Sequence, residues 1–168
     1  MTAYDTLVAK VDAFVARVEA RHPDDLACRP GCASCCHVRL TITTIEAAAV
    51  AAWVAAQPAA ARAAIVAGVG AAAPGRCAAL ADDDRCRIYP ARPLVCRSHG
   101  VPIRLREASL PVVRACALNF TAAGPAAADA DCVLDQELVS TTLGLLDRAG
   151  GAAPGTRLDL AEVLAGLA

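Results

Sequence analysis

The sequence predicts a compact, mainly α-helical single domain with one small antiparallel β-hairpin and cysteine-rich metal-binding loops. Three observations carry this. Apolar residues recur at helical spacing through the segments that flank the cysteines, and two short apolar runs face each other across Glu107-Ala108-Ser109. Eight of the nine cysteines fall between Cys28 and Cys116.

Tyr4, Leu7, Val8, Val11, Phe14, Val15 and Val18 repeat at helical spacing, with Asp5, Asp12, Arg17, Glu19 and Arg21 elsewhere around the wheel. This is an amphipathic helix that ends before Pro23, with His22 favouring its C-terminal dipole. Pro30 suits the first turn of a short helix that would set Cys32, Cys35 and Cys36 on one face, with Cys28 folding back over it. Thr43-x-x-Glu46 is a capping-box pattern, so a helix is expected from about Thr44 to Gln57 with Trp53 in the core. Pro58 restarts a helix through Arg62, Ile65, Val66 and Val69, fading at Gly68, Gly70 and Pro74-Gly75. Cys77, Cys86 and Cys96 follow on loops broken by Pro90 and Pro93, with Asp82, Asp83 and Asp84 in a solvated turn and Tyr89 as a core ring.

Val101 to Arg106 and Leu110 to Arg114 form the hairpin, and Pro102 and Pro111 confine its strands to edges or strand starts. Cys116 sits at its end. Thr121 to Asp131 is a loop or frayed helix, and Cys132 packs as a small hydrophobe. Leu134, Leu138, Val139, Leu143, Leu145 and Leu146 mark a helix ending at Gly150-Gly151, and a last helix spans Leu158 to Leu167. No internal repeat appears; the domain spans residues 1–168, with a cysteine core over about 28–120.

Hydrophobic residues make up 57% of the 168, but 42 of them are alanine and only five residues are aromatic, so bulky core-forming side chains are few. The net charge of -1 and the scattered basic residues indicate no nucleic-acid footprint. Glu46, Gln57, Pro58 and Arg62 interrupt the longest apolar region, so no membrane span is expected. Met1 to Arg21 lacks the marks of a secretory leader, which points to the cytoplasm. Thiols are kept reduced there, and an odd cysteine count leaves one unpaired in any all-disulfide scheme. Clustered cysteines then read as metal ligands.

The run Cys28-x3-Cys32-x2-Cys35-Cys36, then Cys77, Cys86-x-Ile88-Tyr89, Arg92-Pro93-x-x-Cys96-Arg97 and Cys116 resembles the YkgJ-like cysteine-cluster family, described as a zinc- or iron-chelating domain. The resemblance covers about residues 28–120 and implies metal-ligand status for Cys28, Cys32, Cys35, Cys36, Cys77, Cys86, Cys96 and Cys116. Relatives tend to read Cys-Pro where this chain has Cys77-Ala78 and Cys116-Ala117, and Cys132 falls outside the pattern.

Thiolates select zinc, cuprous copper or iron–sulfur clusters over magnesium and calcium. Eight of them divide into two four-coordinate sites, while fewer metals with spare thiols are equally allowed. A tight cysteine group completed from afar is how ferredoxin-type clusters are held, and paired C-x2-C zinc knuckles are absent; this favours an iron–sulfur cluster slightly over zinc. Arg76, Arg85, Arg92 and Arg97 lie beside the sulfurs in sequence, with Arg97 the preferred partner of a bound cofactor. His37 and His99 are the non-cysteine ligand candidates, and His99 joins Arg97 as a cofactor-binding candidate.

Three function classes follow. The first is a metal-binding protein with a structural or electron-transfer role, open to a protein partner. The second is an iron–sulfur enzyme, since Cys28-x3-Cys32-x2-Cys35 has the spacing of radical S-adenosylmethionine proteins and a similar cluster occurs in flagellin lysine N-methylase-like proteins. Ser34 stands where an aromatic is usual, and no run of βα units is present. The third is a metal store or chaperone, which would spread cysteines along long helices instead of loops. No nucleophilic triad is nominated over the metal reading.

Overall fold

The computed structural model describes residues 1–71 and 75–167. Along the chain come α1 (Ala3–Arg21), β1 (Thr41–Ile42), α2 (Thr44–Ala55), α3 (Ala59–Ala71), α4 (Leu94–Ser98), β2 (Ile103–Glu107), β3 (Leu110–Arg114), β4 (Leu134–Asp135), α5 (Gln136–Ala149), β5 (Leu158–Asp159) and α6 (Leu160–Ala165). The chain is mainly helical with small sheets, as expected. It divides into two compact units, Met1–Cys28 with Leu94–Leu146 and Arg29–Pro93 with Asp147–Ala168.

In the first unit, α1 opens with a capping box: Thr2 Oγ1 accepts from the Asp5 amide at 3.0 Å, and Asp5 accepts from the Thr2 amide at 2.7 Å. Of its apolar stripe, Tyr4, Val11, Phe14 and Val18 are buried. Phe14 and Val18 pack with Val101, Phe120 and Cys132 in one core. The hairpin forms with Glu107 opposite Leu110, and the two turn residues have φ of 47° and 71° at Ala108 and Ser109. Both therefore sit in the left-handed region that a two-residue turn of this twist requires. β2 lies between β3 and β4, which leaves Pro111 on an edge strand, where its missing N–H costs no ladder bond. β4 pairs in parallel with β2, so Leu134 belongs to a strand and not to the following helix as its spacing suggested.

The second unit is built on α2, α3 and α6. Thr43 and Glu46 form the expected capping box, with Glu46 only 2% exposed. Asp147 adds to it from afar, accepting from Thr44 Oγ1 at 2.6 Å and from the Ile45 amide at 2.8 Å. A carboxylate at a helix N-terminus satisfies orphan donors and matches the dipole. α3 starts directly after Pro58 and runs through Gly68 and Gly70 to Ala71; the expected stop at Pro74 lies outside the described residues. Gly68 has a packing reason, since a Cβ there would meet the Arg87 guanidinium at 2.6 Å. Ile42, Val50, Val54, Ile65, Ile88, Leu160 and Leu164 form the core, and Trp53 is partly buried against it. The last helix begins two residues later than expected, because Leu158 and Asp159 pair with Ile42 and Thr41. Asp159 then caps α6, accepting from the Ala161 amide at 2.8 Å and from Arg39.

Leu164 has no exposed surface, so Leu164→Ala is expected to cost about 2–5 kcal/mol, read as a lower midpoint in urea unfolding. The Arg39 hydrogen bond, against the opposing effect of burial, holds the Asp159 carboxyl below the usual carboxylate range. The ionised form is thus the one the fold favours. Its contribution is complete above the unfolded carboxyl value of roughly 4 and is lost as pH falls through the lower folded value. Urea midpoints followed down the acid limb are expected to fall less steeply for Asp159→Asn than for the parent.

Candidate metal centre

The early cysteine run does not form the expected α-helix. Gly31 has φ of 90° and breaks the helix after one turn, closed by the Cys32 amide donating to the Arg29 carbonyl at 2.9 Å. Ser34–Cys36 forms a separate 3₁₀ turn, with the Cys36 amide donating to the Ala33 carbonyl at 2.8 Å. Two tight turns, the first with Gly31 inside it, therefore replace one continuous face.

In the second unit that loop meets a later one. The Cys77 amide donates to the Cys36 carbonyl at 2.7 Å, which fastens the two cysteine-bearing arms backbone to backbone. Cys86 returns beside them because Leu80 and Cys86 form an antiparallel bridge, with the Arg87 amide donating to the Ala79 carbonyl at 2.8 Å. Arg76 pairs with Asp84 at 3.0 Å, and the Arg85 amide donates to Asp83 at 3.1 Å; these two aspartates thus shape the turn between Cys77 and Cys86.

The sulfurs of Cys35 and Cys36 lie 3.9 Å apart, and Cys35, Cys36, Cys77 and Cys86 act on one another electrostatically. Burial, then the neighbouring Cys35, pushes the Cys36 thiol up to about 12. Burial also raises Cys77 and Cys86. Backbone donors oppose this: the amides of Ala79 and Leu80 reach Cys77, and that of Ile88 reaches Cys86. Arg92 lies near enough to lower Cys86 further. Amide and guanidinium donors around sulfur are what a thiolate needs, while mutual repulsion stops four thiols ionising together without a cation. Cys32 shares this unit and is half-buried.

Cys28, Cys96 and Cys116 belong to the first unit. Asn119 was not singled out by sequence, yet it links Cys28 and Cys116. Its Nδ2 donates to Cys28 Sγ at 3.4 Å and to the Gly100 carbonyl at 2.8 Å, while its Oδ1 accepts from the Ala27 amide at 2.9 Å. Its own amide donates to the Cys116 carbonyl at 2.9 Å. A lone asparagine carries no motif, so spacing offered no signal for it. Gly100, at φ 105°, closes over Cys28: a Cβ there would lie 2.9 Å from the sulfur. Cys96 sits on α4, a short helix that begins right after Pro93, instead of on the expected loop.

Arg97 donates from Nη1 to both Asp12 oxygens, at 3.0 and 2.7 Å, which ties α4 to α1. The His99 residue is exposed, though desolvation holds its imidazole below its ordinary value. His37 is exposed as well. Tyr89 is no core ring: it is 60% exposed, and the Arg92 guanidinium stacks on it 3.9 Å from the ring centre. Cys132 is fully buried among apolar side chains, as expected of a residue outside the cysteine pattern.

The helical scaffold thus presents its cysteines on tight turns, with amide donors aimed at the Cys77 and Cys86 sulfurs. A family profile described as "Putative zinc- or iron-chelating domain", CxxCxxCC, matches residues 27–117, over half of the chain, and the chain belongs to that family. No curated protein and no solved structure is found to be similar. Among the described residues, no helix is long and apolar enough to cross a membrane.

Gly100→Ala forces a side chain into a left-handed backbone and against Cys28 Sγ. The expected cost is about 1–3 kcal/mol, read as a lowered thermal midpoint together with faster modification of Cys28 by a thiol reagent.

Proposed function

We propose that this protein binds metal through its family cysteines in a structural or electron-transfer role, with Cys35, Cys36, Cys77 and Cys86 holding one centre in the second unit. The observation that supports it most directly is the bond from the Cys77 amide to the Cys36 carbonyl, which joins two sulfur-bearing loops 41 positions apart. The donor set fits a soft or borderline metal: four thiols, three backbone amides aimed at sulfur, and Arg92. The other proposed ligands are Cys32 within the second unit and, separately, Cys28, Cys96 and Cys116 within the first. Arg97 and His99 flank Cys96 and would tune a group bound there.

An iron–sulfur cluster is the first reading, because adjacent cysteines from one loop are completed by ligands from a distant segment. Zinc is the second, favoured by the Cys35–Cys36 separation of 3.9 Å. That is close to the edge of a tetrahedron of thiolates about 2.3 Å from one zinc, roughly 3.8 Å. When bound, a cluster would supply one-electron chemistry and zinc would supply rigidity. The chain's own residues do the rest: the Ala79, Leu80 and Ile88 amides steady the sulfurs, with Cys77 buried and Cys35 on the exposed side.

Anaerobic purification followed by metal and acid-labile sulfide analysis tests the reading. Iron with equimolar sulfide supports the cluster; stoichiometric zinc without sulfide supports the structural ion. Cys35→Ser and Cys77→Ser are each expected to remove one centre's worth of metal and to lower the thermal midpoint, whereas Cys132→Ala leaves that centre's metal in place. Parent protein that binds neither metal under reducing conditions sinks the proposal.

A further inference from the structure

We propose that the first unit carries a second kind of metal site, built from His22, Asp129 and Cys132 and suited to a zinc-like divalent ion. All three residues lie outside the family match at 27–117. Sequence reading left them as a helix-dipole residue, part of a loop and a core hydrophobe. The fold brings them together from positions more than 100 apart in sequence, with one donor atom from each lying within 4.8 Å of the other two.

Each part has the chemistry the site needs. His22 ends α1 as its C-cap, with its amide donating to the Val18 carbonyl at 2.8 Å. Its Nδ1 faces Asp25 Oδ2 at 3.3 Å, which orients the ring and leaves Nε2 as the atom aimed at Asp129 and Cys132. Nε2 is buried and has no hydrogen-bond partner, and Asp129 Oδ2 stands 3.8 Å from it. A buried, unsatisfied ring nitrogen is a standing cost that coordination would remove. A carboxylate behind a ligating imidazole is the usual arrangement around zinc. Phe120 adds to the orientation: its ring packs 5.3 Å from the imidazole, held by a backbone φ of 52° that a bulky residue rarely adopts.

The distances suit a small ion. Nitrogen and oxygen ligands about 2.0–2.1 Å from a tetrahedral zinc stand roughly 3.3–3.4 Å apart, so the nitrogen–oxygen pair, now at 3.8 Å, would close by about half an ångström and the sulfur, within 4.8 Å of both, would move inward with it. The charges suit it too. Asp129 also accepts from Arg21 at 2.8 Å, and Arg21 reaches Asp131 at 3.0 Å, while Arg17 lies 3.9 Å from Asp131. Asp25, Asp129 and Asp131 set three carboxylates against these two guanidiniums, so the surroundings favour a cation. The oxygen that faces His22 Nε2 is the same Oδ2 that holds Arg21, so the ion would share that carboxylate with the guanidinium. Cys132 is fully buried while the Asp129 side chain is 54% exposed, so the ion would enter from the carboxylate side and keep one open position there. Mixed nitrogen, oxygen and sulfur donors favour zinc, and cobalt can replace it as a spectroscopic probe.

The test is titration of the full chain with zinc and with cobalt under reducing conditions, counting bound equivalents after dialysis. The parent is expected to bind one equivalent more than Asp129→Ala or His22→Gln, and its cobalt form to lose one thiolate-to-cobalt absorption contribution in Cys132→Ala. Asp25→Asn should weaken that equivalent by about 10–100-fold without abolishing it. Asp129 is exposed, so Asp129→Ala is expected to keep its circular dichroism, which separates ligand loss from unfolding. Cys35→Ser and Cys77→Ser keep this equivalent, so its fate is read independently of the family cysteines. Equal equivalents in the parent and in folded Asp129→Ala overturn the proposal.

Discussion

Sulfur taken out of water resists ionisation, and the second unit crowds Cys35, Cys36, Cys77 and Cys86 into one neighbourhood. A backbone bond from the Cys77 amide to the Cys36 carbonyl and shared burial of Ala33 with Cys77, Ala78 and Leu80 hold the two loops together. Within that arrangement burial raises the Cys36, Cys77 and Cys86 thiols, which resist ionising unaided. The amides of Ala79, Leu80 and Ile88 soften the repulsion without cancelling it, since burial remains the larger effect at Cys77 and Cys86. The same desolvation that raises a thiol strengthens its attraction to a cation, because both follow from a low local dielectric.

This matters more in an alanine-rich chain than it would elsewhere. The second unit's core includes Ala33, Ala47, Ala78 and Ala79 beside its larger residues, and each alanine withdraws little apolar surface. Polar devices at the element ends compensate in part. α2 carries both a capping box and Asp147, and Asp159 caps α6 while pairing with Arg39. Buried charge of this kind is tolerated because the carboxylates meet hydrogen-bond donors.

Elements whose signal is local were legible from the sequence: α1 and α2 through periodicity and caps, and the β2–β3 hairpin through its flanking apolar runs. Elements that exist only through distant pairing were not. β1 and β5 are two residues each and have no periodicity to detect, and β4 takes Leu134 out of an apparent helical stripe by pairing with Ile103. The cysteine run failed as a helix for a related reason. Spacing of three and four is shared by an α-helix and by consecutive tight turns, and only the left-handed backbone at Gly31 decides between them. The cysteines themselves were visible because sulfur at that density has few other uses. Asn119 and His22 were not, since one polar side chain gains its meaning from what the fold puts beside it.

The left-handed residues show where the fold holds itself away from local preference. Gly31 lies in the first of the two early cysteine turns, Asp84 lies in the turn between Cys77 and Cys86, Gly100 closes over Cys28, and Phe120 turns its ring onto His22. Ala108 and Ser109 answer to hairpin geometry alone, but these four each lie in a segment that brings a sulfur or an imidazole to its neighbours. An L-residue in that region costs on the order of 1–2 kcal/mol, so Asp84 and Phe120 persist only because surrounding contacts outweigh it. For Phe120 those contacts are its amide bond to the Asp25 carbonyl at 2.7 Å and burial beside Val18 and Cys132. Asp25 in turn faces His22. Strain, core packing and ligand orientation thus meet in one stretch of backbone, which is the arrangement expected where rigidity of the donors matters more than local ease of folding.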